Sequence, residues 1–301
     1  MIEERPLPIV RPNEVLVRIE AVAVTAGDAR MRGGTFPRGF ALPARLALGL
    51  TGPRVRVLGS SFSGVVEQVG SEISGFAKGD EIAGMNGARM GAHAQYAAIR
   101  STSIVQKPKQ VSHIEAAGAL FGGTTAMHFL RDRIAEGARV LVNGASGAVG
   151  SSAVQLSALA GAEVTAVTSQ ANVELVARLG ANHTIDYRQH EIRDLPDHSF
   201  DLVFDAVGNI DRSLGLRLTT PDGYLVLAAA SLWDNIRASG RVLASPATES
   251  ASDLTHLLGL LEHGKLDAVT TSLGGLEAIV EAYRIVDSGR KVGNIVVQPW
   301  A

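Results

Sequence analysis

Three glycines in the run NGASGAVG, residues 143 to 150, stand at the spacing a dinucleotide diphosphate requires. Gly144 lets the chain turn tightly after an apolar run that reads as a strand. Gly147 removes a side chain where backbone must approach phosphate, and Gly150 lets the next helix pack closely on that strand. The free amides opening the helix then face the anion. The chemistry this implies is nicotinamide-type redox, in which a cofactor carries the reactivity and the protein supplies position and polarity. The chain has no cysteine, which excludes disulfides, thiolate metal sites and cysteine nucleophiles. His113, His128, His183, His190 and His198 show no spacing with other ligands and read as surface or core groups.

The elements around this motif imply an α/β protein. From about residue 139 a rhythm of strand, glycine and helix repeats through ARVLVNGASG, EVTAVTS, FDLVFDAVG and GYLVLAAA, which predicts a doubly wound parallel sheet covered by helices. In its first helix Val149, Ala153, Leu156 and Ala160 recur at helical spacing and predict the inner face, with Gly161 as the terminating residue. A later helix opens at Asp253, buries Leu254, Leu257, Leu258 and Leu261, and stops at Gly264; LDAVT after it supplies the expected sixth strand. The first third is β-rich: VLVRIEAVAV opens with period-2 alternation, and FSGVVEQVG and GDEIAGM are short runs bounded by glycine. Residues 32 to 54, dense in Gly and Pro, read as a long loop that shapes a substrate site.

Composition bounds the rest. With 301 residues, 46% of them hydrophobic, the chain can bury a sizeable core and form two domains. Its 28 Lys and Arg against 30 Asp and Glu are dispersed, which argues against nucleic acid as a partner. The first twenty residues carry acids and prolines where a signal peptide needs an apolar core. No run approaches the roughly 18 apolar residues of a membrane span, so the expectation is a cytoplasmic protein with no membrane partner.

Several stretches together carry a family resemblance: EVLVRIEAVAVTAGD (14 to 28), FSGVVEQVGSEISGFAKGDEIAGM (62 to 85), EAAGALFGGTTAMHFL (115 to 130), the glycine motif, LGANHTIDYR (179 to 188), FDLVFDAVGN (200 to 209) and GRKVGNIVVQ (289 to 298). With these the chain resembles the medium-chain dehydrogenase/reductases, in the zinc-independent quinone oxidoreductase-like branch. The resemblance implies a GroES-like β-rich domain built from both chain ends, residues 1–107 and 272–301, enclosing a Rossmann domain over 108–271, with the active site in the cleft between them. Relatives begin with a further strand pair, so an edge of the β-domain is expected to lie open, covered by a partner subunit. The same resemblance implies a homodimer in which the last Rossmann strand, near Leu266 to Thr270, pairs with its copy. Where zinc-dependent relatives place a cysteine and a histidine, this chain has Thr25 and Ser60, followed by Ser61; hydroxyls alone make poor zinc ligands, and no metal is expected.

For the cofactor, the second Rossmann strand ends Val167-Thr168-Ser169-Gln170 with nothing acidic to accept from a ribose, and small hydroxyls leave room for a 2′-phosphate. NADPH is therefore expected. The basic residue that follows in NADPH-using relatives is replaced by Ala171 and Asn172, while Tyr187 and Arg188 match the family position near the 2′-phosphate, Arg188 supplying the charge. The resemblance places the cofactor on Asn143, Gly144, Ser146, Gly147, Ala148, Val149 and Gly150, with Thr168, Ser169, Asn172, Tyr187 and Arg188 at the adenosine end and Val207, Gly208 and Asn294 beyond.

Thr25 and Thr124 match positions near the nicotinamide and are the expected catalytic hydroxyls; Phe36, Arg38, Phe40, Met85, Met90 and His93 are expected to line the acceptor pocket. Asp28, after Gly27, reads as a turn cap or a partner of Arg30 or Arg32. Without zinc to polarise a carbonyl, the implied reaction is hydride delivery to a quinone or an α,β-unsaturated carbonyl, with water as proton source. Two rivals share the glycine motif: a biosynthetic tailoring enzyme performing enoyl reduction or a cofactor-reusing cyclisation or dehydration, and a non-catalytic NADPH sensor.

Overall fold

The computed structural model describes residues 2–34, 39 and 55–301. Phe36, Arg38 and Phe40 lie outside the described residues, as does most of the Gly- and Pro-rich stretch. In chain order the described strands and α-helices begin with β1 (Glu14–Val24), α1 (Ala26–Gly33), β2 (Ser61–Val69), β3 (Glu81–Met85), β4 (Tyr96–Arg100), β5 (Ile104–Gln106) and α2 (His113–Leu130). There follow β6 (Arg139–Asn143), α3 (Ala148–Leu159), β7 (Glu163–Thr168), α4 (Val173–Arg178), β8 (His183–Asp186), β9 (Phe200–Asp205), α5 (Arg212–Leu218) and β10 (Thr219–Leu227). The last are α6 (Leu232–Arg237), β11 (Val242–Leu243), α7 (Ala251–Glu262), β12 (Thr270–Ser272), α8 (Ile279–Asp287) and β13 (Asn294–Val297).

The described residues form two compact units: 2–34, 55–121 and 249–301 make the first, and 122–248 the body of the second. Among the described residues the first contains a seven-stranded sheet in the order β12-β13-β1-β2-β3-β5, with β4 also on β1. Strand β1 organises it, because its 11 residues are long enough to pair with β4 along the first half and β13 along the second. Val15, Val17, Ile19, Val22 and Val24 of β1 pack with Phe62, Val66, Ile82, Ile99 and Ile295 into one core. The β-branched residues that gave the alternating sequence pattern are the ones that fill it.

The second unit holds six parallel strands in the order β11-β10-β9-β6-β7-β8. Counted from β6, the chain runs outward through β7 and β8, then returns to place β9, β10 and β11 on the other side. The order reverses between β6 and β9, and the crevice past the carboxyl ends of those two strands is where a doubly wound sheet binds its ligand.

The structure corrects two expectations. The sixth strand is β11, Val242–Leu243, on Leu225 and Val226 of β10; LDAV is not a strand, and Thr270–Ser272 instead pairs with β13 in the other sheet. The edge assigned to subunit pairing at Leu266 to Thr270 therefore does not belong to the Rossmann sheet, whose edges are β8 and β11. The compact units divide at 121/122 and 248/249, where α7 packs on β5 and α2 runs through the first boundary without a break. Second, α3 buries Gly150, Ser151, Ala153, Val154 and Ser157, while Val149 and Leu156 are half-buried and Ala160 is exposed. Small residues define that face because backbone packs against it: a Cβ on Gly122 of α2 would lie 2.2 Å from the Ala148 carbonyl oxygen. Close approach, rather than hydrophobicity, selects these positions. Among the described residues no helix is long and apolar enough to cross a membrane.

Candidate cofactor site

The turn from β6 to α3 is built by its glycines. Gly144 adopts φ 78°, and a Cβ there would meet Val207 Cγ2 at 2.6 Å. A Cβ on Gly150 would meet the Gly144 carbonyl oxygen at 2.1 Å, so the helix can start where it does only without that side chain. Gly147 differs: the nearest atom to its absent Cβ is the Gly144 oxygen at 3.4 Å, an ordinary contact. The protein thus gives no steric reason for glycine at 147, whereas a diphosphate against the backbone there does. Gly147 caps α3 with no side-chain hydrogen bond, which leaves the first-turn amides of Ala148, Val149 and Gly150 without an intrahelical partner. The residues present therefore fit a dinucleotide.

At the ends of β7 and β8 the expected adenosine contacts converge. Asn172 Nδ2 donates to Ser146 Oγ at 3.1 Å and to Ser169 Oγ at 3.2 Å, joining the glycine turn to the end of β7. Since both serine oxygens accept from the amide, their own protons remain to be donated outward. Thr168 departs from expectation: it is buried, its hydroxyl is enclosed without a partner, and only Ser169 beside it is partly open. The Tyr187 N–H donates to the Thr168 carbonyl at 3.2 Å, which sets Tyr187 beside that strand end; the residue is 51% exposed, and the Arg188 guanidinium lies 5.8 Å from its ring centroid. Past β9, Val207 and Gly208 are exposed on a loop held from within by Asp205. Asp205 and Asn209 carry no distinguishing signal in the sequence, where each reads as ordinary strand-end polarity.

Several of the remaining expected site residues make hydrogen bonds within the protein. Thr25 caps α1: its Oγ1 accepts from the Asp28 N–H at 3.1 Å and donates to Asp28 Oδ2 at 2.6 Å, so its proton is committed. Asp28 is fully buried and bonds to Thr25 and the Gly59 N–H rather than to an arginine; Arg32 pairs with Asp287 instead. His93 donates from Nε2 to the Ala23 carbonyl at 3.0 Å, and its Nδ1 lies 3.4 Å from the Tyr283 hydroxyl, which uses both ring nitrogens. Met85 and Met90 are 4% and 6% exposed; Met90, at φ 54°, accepts from Asn86 Nδ2 through its carbonyl and lines one pocket together with His93. Asn294, buried, donates to the Ala268 carbonyl at 2.7 Å and belongs to the first unit, away in the chain from the glycine turn. Thr124 is 1% exposed on α2.

At the positions compared with zinc ligands, Ser61 Oγ donates to the Ala117 carbonyl at 2.6 Å, and Ser60 is buried beside it in the chain. Among the described residues no group of three or more His, Asp or Glu is gathered as a metal site would need. Elsewhere, His113 Nδ1 is hydrogen-bonded to Ser63 Oγ at 2.8 Å; burial first, then the nearby Lys107 charge, hold this imidazole down to about 4, so it is a neutral, half-buried group at physiological pH.

Comparison with known proteins agrees with this geometry. Residues 11–109 match the alcohol dehydrogenase GroES-like domain, and residues 179–297 match the zinc-binding dehydrogenase family. The chain is 30% identical to 2-methylene-furan-3-one reductase of Solanum lycopersicum, over 97% of this chain and 74% of that protein. It is 29% identical to the chloroplastic NADPH-dependent alkenal/one oxidoreductase of Arabidopsis thaliana, with the same coverage. Among solved structures it is similar in fold to the quinone oxidoreductase of Coxiella burnetii, with a TM-score of 0.85 at 24% identity over 98% of this chain and 93% of that one.

Proposed function

The chain belongs to the medium-chain dehydrogenase/reductase superfamily, in its quinone oxidoreductase-like branch, and from that premise we propose that it is a zinc-independent, NADPH-dependent reductase of quinones and α,β-unsaturated carbonyls. When bound, the reduced nicotinamide supplies the hydride. The observation that carries the reading is the open, uncapped helix start at Gly147, at the point where the strand order reverses. The names of the tomato and Arabidopsis relatives, a furanone reductase and an alkenal/one oxidoreductase, support an activated C=C as the acceptor.

The residues divide the work. Amides of Ala148 to Gly150 and the α3 dipole hold the diphosphate. Ser146 and Ser169, with protons directed outward by Asn172, donate to the 2′-phosphate, and exposed Arg188 neutralises it. With the Thr25 proton engaged by Asp28 and both His93 nitrogens occupied, the proton that completes reduction comes from water. We place the enzyme in the cytoplasm as a homodimer.

The direct test titrates the protein with NADPH and NADH, then adds 1,2-naphthoquinone or a simple enone and follows the nicotinamide absorbance. Consumption of NADPH that depends on acceptor is expected; cofactor binding with no turnover across a broad panel of acceptors would refute the assignment. At the residue level, Arg188→Ala should weaken NADPH about tenfold and NADH by less than twofold, since a charge-assisted hydrogen bond contributes about 1.5–3 kcal/mol. Equal losses for the two cofactors would remove Arg188 from the phosphate site.

A further inference from the structure

Asp205, the last residue of β9, is fully buried and has no lysine or arginine partner among the described residues. Four donors satisfy it instead. Oδ1 accepts from Asn143 Nδ2 at 2.8 Å, the Val207 N–H at 2.9 Å and the Gly208 N–H at 3.1 Å; Oδ2 accepts from Gly208 again at 3.1 Å and from the Ile210 N–H at 3.0 Å. Such a carboxylate fixes the loop's backbone, because each released amide would be left without a partner. Asn143 Nδ2 also donates to Asn209 Oδ1 at 2.6 Å, so one amide ties the end of β6 to both ends of the loop.

The consequence is the placement of Val207. With its N–H turned in toward Asp205, its side chain is left 53% exposed, and its Cγ2 fills the space that a Cβ on Gly144 would need. The two walls of the crevice between β6 and β9 thus meet at an apolar contact held by a buried charge. In a sheet of this order the adenosine ribose belongs at the end of the second strand, here β7, which leaves the β9 side for the other half of the dinucleotide. Resting on the reductase reading above, we propose that Asp205 is a positioning residue that holds the Val207–Gly208 loop against the nicotinamide half of the cofactor and leaves the adenosine half untouched.

The test compares two ligands on the full-length chain: NADPH, and adenosine 2′,5′-bisphosphate, which lacks the nicotinamide. Asp205→Asn replaces one acceptor oxygen by a donor facing backbone N–H groups; calorimetric titration should show NADPH weakened about tenfold with the bisphosphate within twofold of wild type. Loss of both ligands in equal measure, or of neither, would overturn the proposal. Should that variant not fold, Asn209→Ala decides alone: the residue is exposed, and about a threefold loss confined to NADPH is expected, whereas unchanged NADPH affinity refutes it. Wild-type protein that binds the bisphosphate but not NADPH would overturn only this assignment, and wild-type protein that binds neither would sink the reductase reading with it.

Discussion

Gly147→Asp is expected to abolish NADPH binding in a protein that folds as well as the parent. The backbone at 147 has φ −79° and ψ 173°, open to any residue, and nothing lies nearer to the added Cβ than the Gly144 oxygen at 3.4 Å. The position is the N-cap of α3, where aspartate is among the preferred residues and glycine is a few tenths of a kcal/mol poorer. The substitution should therefore hold or slightly raise the melting temperature. The same carboxylate takes the first-turn amides for itself and brings its charge to about 4 Å from a bound phosphate, a repulsion of about 4 kcal/mol per charge at an effective dielectric of about 20. A loss of more than about 100-fold in affinity follows. Gly150→Ala gives the contrast, since its Cβ would fall 2.1 Å from a carbonyl oxygen and stability would drop along with binding. Fluorescence titration with NADPH beside a thermal melt checks both; a Gly147→Asp variant that binds NADPH undiminished would mean the diphosphate lies elsewhere.

What the sequence disclosed and what it hid follow one division. Period and glycine placement are local, and they located β1, β2, β3, the β6-to-α3 turn and the parallel sheet. Features set by a distant partner left little trace. β11 is two residues long in ASGRVLASPA, too short for any period, whereas LDAVT alternates well but Val269, at φ 45°, turns the chain before Thr270 reaches β13. The buried face of α3 escapes a hydrophobic reading because its selection is steric: Gly150 and Ser157 carry no hydrophobic signal, yet they face inward. The boundary inside α2 is hidden for a related reason, since the helix is apolar on all sides and shows no change of composition where the units divide. At the site, the glycines are legible because a ligand and a tight turn make the same demand of the backbone. Asp205 is not, because three of its donors are loop amides that carry no side-chain signature and the fourth, Asn143, reaches it only once β6 and β9 lie side by side.

Asp28→Ala should cost the first unit about 3 kcal/mol. Its carboxylate, with no exposure to solvent, accepts from the Thr25 N–H at 2.8 Å, the Thr25 hydroxyl at 2.6 Å and the Gly59 N–H at 3.1 Å. The first of these bonds is the carboxylate half of the capping box at the start of α1, the second ties the two side chains of that box together, and the third crosses to the turn that leads into β2. Gly59 has no freedom to find another acceptor: it sits at φ 93°, with the backbone of Ala92 and His93 packed where its Cβ would be. Alanine would leave three buried donors unsatisfied, and at roughly 1 kcal/mol or more for each, the sum is near the figure given. Asparagine should recover only part of it, because its NH2 group must face at least one of the same N–H donors. Hydrogen exchange of the α1 amides and of Gly59 reports the loss where it occurs, which suits a chain of two units better than one melting temperature. Protection unchanged at both places would show that the carboxylate does not hold them. If Thr25 instead owes its position to Asp28, the variant frees that hydroxyl, and comparing its turnover with that of Thr25→Val separates a fold contribution from a chemical one: a pair that lose stability together while retaining kcat marks Thr25 as part of the scaffold.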